Sequence, residues 1–242
     1  MRKILFLTTL LLTGLFNFSQ DLPDASQFKN IKTFIVSGSF QLPAGTTRIM
    51  VELWGAGGGG CTIGGGGGGA YGKALINVSS GSNVLITIGA GGLGGDTRGN
   101  NGGLTGVGYR PPSSPVSVYT FNARGGEGSQ FNSGIASHGA GGNSAYSTGG
   151  SEIGFYSVAG EDACMFEDNY QQAGTTYITR HVGNGGNAGN TLYTAGRGDV
   201  VLNPTTPTYK RTGTTGKNPG GGGGGGIPRG YQGGNGMVVL HY

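Results

Sequence analysis

Glycine limits this chain more than any other residue. It fills 57 of 242 positions and comes in runs, notably 57–60, 64–69 and 220–226. Each interior glycine costs a helix roughly 1 kcal/mol relative to alanine, so an all-helical fold is untenable. Collagen is excluded because glycine falls short of one residue in three and keeps no Gly-X-Y period. Glycine and proline together make about 27% of the chain, a level that usually marks low complexity. Charged residues make only 11%, which removes the strongly charged kind of disorder.

The placement of the glycines argues for order. Only Gly14 precedes Gly38, and strand patterns frame the runs. Phe34, Val36 and Phe40 lie in one extended stretch. Leu42-Pro43-Ala44-Gly45 has the residues of a type I turn, with proline second and glycine fourth. Ile49, Val51 and Leu53 alternate onto one face. Ala74, Ile76 and Val78, then Val84, Ile86 and Ile88, read as a hairpin joined at Ser79-Ser80-Gly81-Ser82. Met237 to Tyr242 supplies a last strand.

The expected fold is mainly β. The N-terminal strands and the C-terminal strand form a small antiparallel sheet, packed with a polyglycine II helix bundle and long tip loops, without a sizeable α-helix. Glycine lets extended three-residue-per-turn backbones approach and hydrogen-bond where side chains would block them. Ordering a residue costs roughly 1–2 kcal/mol, glycine most of all, and a net hydrogen bond returns only about 0.5–1.5 kcal/mol. The tracts therefore need nearly complete backbone pairing and the apolar strands as a platform.

Residues 1–20 read as a secretory signal: basic Met1-Arg2-Lys3, an apolar run from Ile4 to Phe18, and a cut near Ser19-Gln20. The run of about 15 apolar residues is shorter than the roughly 20 that span a bilayer. No cysteine stands at its end for a lipid anchor, and Phe-Ser-Gln at the cut resembles exported proteins of Bacteroidetes. The expected organisation is signal 1–20, lead 21–30 and a single glycine-rich domain 31–242, exported to the cell surface, the medium or the periplasm. No transmembrane segment is expected after cleavage. Without residues 1–20, which hold two of the 15 basic and none of the 11 acidic residues, the balance is +2, too weak for a nucleic-acid footprint, which needs a clustered basic face. For Cys61 and Cys164, one disulfide in an oxidising compartment and two unpaired thiols fit equally well.

Phe40 to Thr47, VELWGAGGGG (51–60), GGGGGGAYGKA (64–74), VLITIGAGG (84–92) and GGNGMVVLHY (233–242) together resemble the glycine-rich domain of bacteriophage tail-tip adhesins and of many secreted bacterial proteins. The middle of the chain, 104–219, matches only in its short glycine tracts. The resemblance implies a layered sandwich of polyglycine helices whose variable tip loops contact a receptor. It also implies a domain that closes with the strand ending at Tyr242. An export signal departs from the phage pattern and points to an envelope protein using the same module.

The loops carry the informative side chains. Tyr109, Tyr119, Tyr146, Tyr156, Tyr170, Tyr177, Tyr193 and Tyr209 lie among Ser, Thr and Asn, with Arg110, Arg124, Arg180 and Arg211. Tyrosine offers contact area at low entropy cost and small polar residues offer adaptable hydrogen bonds. Any single tyrosine is better explained by a small core under its loop, so the expectation attaches to a subset of the twelve.

Other motifs are weaker. Gly67 to Ala74 has the spacing of a phosphate-binding loop but ends in Ala74 where Ser or Thr would hold Mg²⁺. Arg197-Gly198-Asp199 is read as a chance tripeptide. Glu161, Asp162, Glu167 and Asp168 have no Ca²⁺-binding spacing and read as a solvated loop. His138, His181 and His241 have no metal-ligand spacing. The expectation is a non-enzymatic binding or adhesion module without cofactor or metal, its partner a glycan or a surface protein. The alternatives are an accessory subunit of an outer-membrane or cell-surface complex and an ice-binding protein.

Overall fold

The computed structural model describes residues 24–132, 135–149, 152–164, 167–172, 175–180, 183–202 and 209–242. The expected signal, 1–20, lies outside them. The described residues contain no helix longer than the three-residue 3₁₀ turn Ala25–Gln27, which Asp24 caps by accepting from the Ser26 N–H.

Two antiparallel five-stranded sheets face each other. The first runs in the order β1 (Ile31–Phe34), β16 (Met237–His241), β3 (Arg48–Trp54), β4 (Tyr71–Asn77), β11 (Glu152–Val158). The second runs β10 (Ala145–Thr148), β7 (Tyr119–Ala123), β6 (Thr105–Arg110), β5 (Asn83–Thr87), β2 (Gly38–Gln41). The C-terminal strand pairs with N-terminal strands, as expected, and it lies between two of them. The second sheet is built largely from the middle of the chain.

The alternating apolar residues meet between the sheets. Ile49, Val51, Leu53, Ile76, Val238 and Leu240 pack against Val84, Ile86, Val107, Tyr109, Tyr119 and Phe121. Fully burying each aliphatic side chain contributes about 1.5–3 kcal/mol, so this core is the platform on which the glycines order.

Three local expectations change. β4 and β5 are not a hairpin, because they belong to opposite sheets. Their apolar faces line opposite sides of the same core, and the corner 79–82, with Gly81 at φ 73° and Ser82 Oγ donating to the Ser79 carbonyl, carries the chain over. The stretch from Phe34 to Phe40 is two strands in two sheets, with Ile35 and Val36 exposed at the crossing. The turn after β2 spans Pro43–Thr46, closed by Thr46 N–H to the Pro43 carbonyl. Gly45 stands third at φ 84°, the left-handed value of a type II turn.

The strands continue into the glycine tracts. Segment 64–70 precedes β4, and its hydrogen bonds repeat every three residues. Gly66 and Gly69 donate to Gly223 and Gly220; Gly67 and Ala70 donate to Glu127 and Arg124; Gly68 donates to Glu161. Its carbonyls accept in the same period: Gly65 and Gly68 from Gly139 and Gly142, Gly66 and Gly69 from Gly186 and Gly189, Gly67 and Ala70 from Gly58 and Gly55. The tract is thus surrounded by six other segments. Segment 55–60, which follows β3, behaves alike: its N–H groups reach 70 and 67, 103 and 100, 234 and 231. A methyl group at Gly57 would lie inside the Gly221 carbonyl, and one at Gly67 inside that of Ala140. Glycine is required here by the closeness of neighbouring backbones.

The ends of these segments remote from the sheets are joined by short turns or by three hairpins: β8 (Gln130–Asn132) with β9 (Ile135–Ser137), β12 (Glu167–Gln172) with β13 (Thr175–Arg180), and β14 (Gly198–Leu202) with β15 (Tyr209–Gly213). No helix among the described residues is long and apolar enough to cross a membrane.

Candidate functional site

At the side of the glycine lattice, four segments lie next to one another. Segment 160–164 pairs with 183–187 through Glu161 N–H to the Asn187 carbonyl and Cys164 N–H to the Asn184 carbonyl. Gly185 N–H donates to the Gly196 carbonyl, bringing in 194–197, and Thr214 N–H donates to the Arg197 carbonyl, bringing in 214–217.

Asn184 and Asn187, three residues apart, share a face at this period and tie the segments with side chains. Asn184 Oδ1 accepts from Gly198 N–H at 2.8 Å. Asn187 Oδ1 accepts from the N–H groups of Thr194 (2.9 Å) and Ala195 (3.0 Å), while its Nδ2 donates to Glu161 Oε2 at 2.8 Å. Between Asn187 and Thr194 the chain turns at Asn190, φ 55°, held by the Thr191 hydroxyl donating to the Ala188 carbonyl at 2.7 Å. Thr194 Oγ1 accepts from Ala188 N–H at 3.0 Å. Past this turn stand Leu192, 75% exposed, and Tyr193, 84% exposed at φ 64°. A tyrosine in the left-handed region costs roughly 1–2 kcal/mol, and no burial of its own ring offsets that.

The four segments enclose an open groove of about 850 Å³, within the roughly 300–1,000 Å³ typical of ligand pockets. Glu161, Asp162 and Cys164 form one wall; Arg197, Thr214, Thr215 and Lys217 form the other; Asn184, Gly185 and Asn187 lie between them, with Tyr193 beside them. Both walls are exposed to solvent. Asp162 Oδ1 accepts from Gly141 N–H at 2.7 Å, so each acid is anchored to the lattice through one carboxylate oxygen.

Two hairpins arise from this rim. β12–β13 lies between Cys164 and Asn184, which bridge each other, and β14–β15 follows Arg197 directly. Their register places Tyr170 opposite Tyr177 and Glu167 opposite Arg180, and it puts Arg211 opposite Val200 and Tyr209 opposite Leu202. Of the twelve expected binding residues, Tyr193 therefore lines the groove, and Tyr170, Tyr177, Arg180, Tyr209 and Arg211 have backbones on the hairpins at its edge. The side chains of those five, and His181, lie outside the described residues.

The others are elsewhere. Tyr109 and Tyr119 are core residues, 4% and 1% exposed, and face each other across β6–β7. Burial pushes the Tyr109 phenol up, but hydrogen bonds with Ser79 and Ser82 outweigh it and set it below its ordinary value. Arg110 ends β6, half-buried. Arg124 lies over the Tyr146 ring, 5.5 Å from its centre, on the outer side of the second sheet. Tyr156 packs on Tyr71 from β11. Cys61 and Cys164 are both free thiols, one buried and one exposed; the Cys61 Sγ donates to the Thr62 carbonyl at 3.5 Å.

Sequence reasoning missed Asn184, Asn187 and Lys217. The Asn-Gly-Gly-Asn spacing carried a signal, since residues three apart share a face at the lattice period. Lys217 becomes a wall only through pairing with Thr194, whose carbonyl accepts its N–H.

Sandwich, glycine lattice and displayed hairpins define a glycine-rich β domain that holds a polar groove on a backbone scaffold. A family model described as a glycine-rich domain matches residues 33–242, and the chain belongs to that family. No curated protein matches it.

Proposed function

We propose that this protein is an exported, non-enzymatic binding or adhesion module, and that the groove with its two flanking hairpins receives a glycan or a surface protein. The groove between 160–164 and 214–217 carries this reading. It is large, lined mainly by polar and charged residues, and hydrogen bonds to neighbouring segments hold its Glu161, Asp162, Asn184, Asn187 and Thr214 side chains. Pre-formed sites lose less free energy on binding than mobile loops do. The exposed Tyr193, kept in an unfavourable backbone conformation beside the groove, is the pattern expected where contact with a partner outweighs stability. The three-residue hydrogen-bond repeat supports reading the tracts as polyglycine II-type helices. The likeness of 31–92 and 220–242 to secreted and phage tail-tip modules supports display at a surface.

The reading is tested with the purified labelled protein on a glycan array and on intact bacterial cells, beside Tyr193→Ala and Lys217→Gln. Binding that both variants weaken, with unchanged unfolding, is the expected result. Absence of binding to any glycan or cell surface, or variants that bind like the parent, overturns it.

A further inference from the structure

We propose that the groove is a subsite for a carboxylate-bearing saccharide, a uronate unit of an oligosaccharide; the inference rests on the binding role above and names its ligand class. The charges are divided by segment. Arg197 and Lys217 come from 194–197 and 214–217, whereas Glu161 and Asp162 come from 160–164. The two sides are separated by the 183–187 segment, to which one wall pairs through Glu161 and the other through Gly196.

That division sorts the ligands. A densely charged anion such as a phosphate or sulfate ester gains from the cationic wall but is repelled by the two carboxylates opposite. A cation meets the reverse problem. A neutral sugar uses the carboxylates, which are strong acceptors for hydroxyl groups, and leaves Arg197 and Lys217 without an anion. A uronate unit has one carboxylate on one edge of its ring and hydroxyls on the other. Its carboxylate suits a guanidinium, which offers a planar fork of donors, and the ammonium of Lys217. Its hydroxyls suit the carboxylate oxygens of Glu161 and Asp162 that the lattice leaves unused, and the hydroxyls of Thr214 and Thr215. Tyr193 supplies an amphipathic ring for the sugar's apolar face. A groove of about 850 Å³ admits more than one sugar unit, so the repeat of an acidic polysaccharide fits better than a single free acid.

The test is calorimetric titration of the whole protein with tetragalacturonate and with the same tetramer methyl-esterified, which keeps rings and hydroxyls but removes the charge. The acid form is expected to bind at least about tenfold tighter than the ester, a ratio that falls as salt rises. Arg197→Gln and Lys217→Gln, with unfolding curves like the parent's, each weaken the acid form about tenfold, the effect of losing one hydrogen bond to a charged group, and weaken the ester by a clearly smaller factor. Equal binding of acid and ester, no binding of either, or charge-removing variants without effect overturns the uronate assignment. Array or cell binding by the same preparation, lost in Tyr193→Ala, separates that failure from a failure of the binding role itself.

Discussion

The Tyr71 hydroxyl donates to Glu52 Oε2 at 2.6 Å, from β4 to β3, on the face of the first sheet turned away from the core. The other oxygen of Glu52 lies 2.9 Å from His241 Nε2, so one carboxylate joins three adjacent strands. Burial first, then the Glu52 hydrogen bond and charge, raises the Tyr71 phenol far above its ordinary value. Folded Tyr71 stays neutral where the unfolded chain's phenol ionises, near 10. Between those two values the folded state binds more protons than the unfolded, so stability falls as pH rises. The contribution is complete below pH 10 and declines above it. Urea midpoints from pH 8 to 11 check this: the parent is expected to lose stability more steeply than Tyr71→Phe, and parallel curves would refute it.

Tyr71→Phe also removes the partner of a half-buried carboxylate oxygen. At pH 7 it is expected to destabilise by about 1–3 kcal/mol, the cost of leaving such a group unsatisfied. Equilibrium urea unfolding measures it directly.

Close approach, rather than glycine content, demands glycine in the lattice. Gly67→Ala pushes a methyl into the Ala140 carbonyl and is expected to cost at least about 3 kcal/mol, in the range of severe core disruptions. At Gly38 in β2 a methyl group would meet no atom within 4 Å, and the backbone has no positive φ. Gly38→Ala is expected to be neutral or to stabilise by up to about 1 kcal/mol through the unfolded chain. Similar melting temperatures for the two variants would show that packing is not the reason for the tracts.

Tyr193→Gly separates stability from display. Relief of the left-handed backbone returns roughly 1–2 kcal/mol, against about 0.5–1 kcal/mol for the greater freedom of unfolded glycine. Stability is expected to hold or rise slightly while binding to array or cell surface falls. A marked drop in stability would assign Tyr193 a structural role.

The two thiols differ in reach. Burial raises the Cys61 thiol above its ordinary value, and Cys164 is exposed. An aromatic disulfide reagent is expected to titrate one thiol quickly in the folded protein and two in denaturant. Zero reactive thiols in denaturant would establish the disulfide after all.

The strands were legible where the apolar alternation is plain, as at Ile49, Val51 and Leu53, because period two is a local property of the backbone. Partners were not. Ala74 to Val78 and Val84 to Ile88 alternate identically whether they pair in one sheet or line one core from opposite sheets. Tyr109 looked like a loop residue because Gly106 and Gly108 hide the alternation of Thr105, Val107 and Tyr109. Those glycines occupy the outer face of β6, so its inward residues form a strand face that composition disguises. Arg197 was visible as part of a tripeptide, yet its role beside Lys217 depends on a backbone pairing between 194–197 and 214–217.

The sequence by itself determined that this chain builds a β platform and extended glycine backbones, with no long helix among the described residues. Local stereochemistry is enough for that: a residue without a side chain disfavours helix, and alternating apolar residues favour strands. Which tract lies beside which was decided only by the tertiary structure. Gly69 and Gly220 are hydrogen-bonded across about 150 positions, and a run of glycines carries no side chains that could specify its neighbour. Specification comes from the strands to which each tract is attached, and through them from the core. The groove is a product of the same selection, since its walls come from four segments that meet only when the lattice is complete.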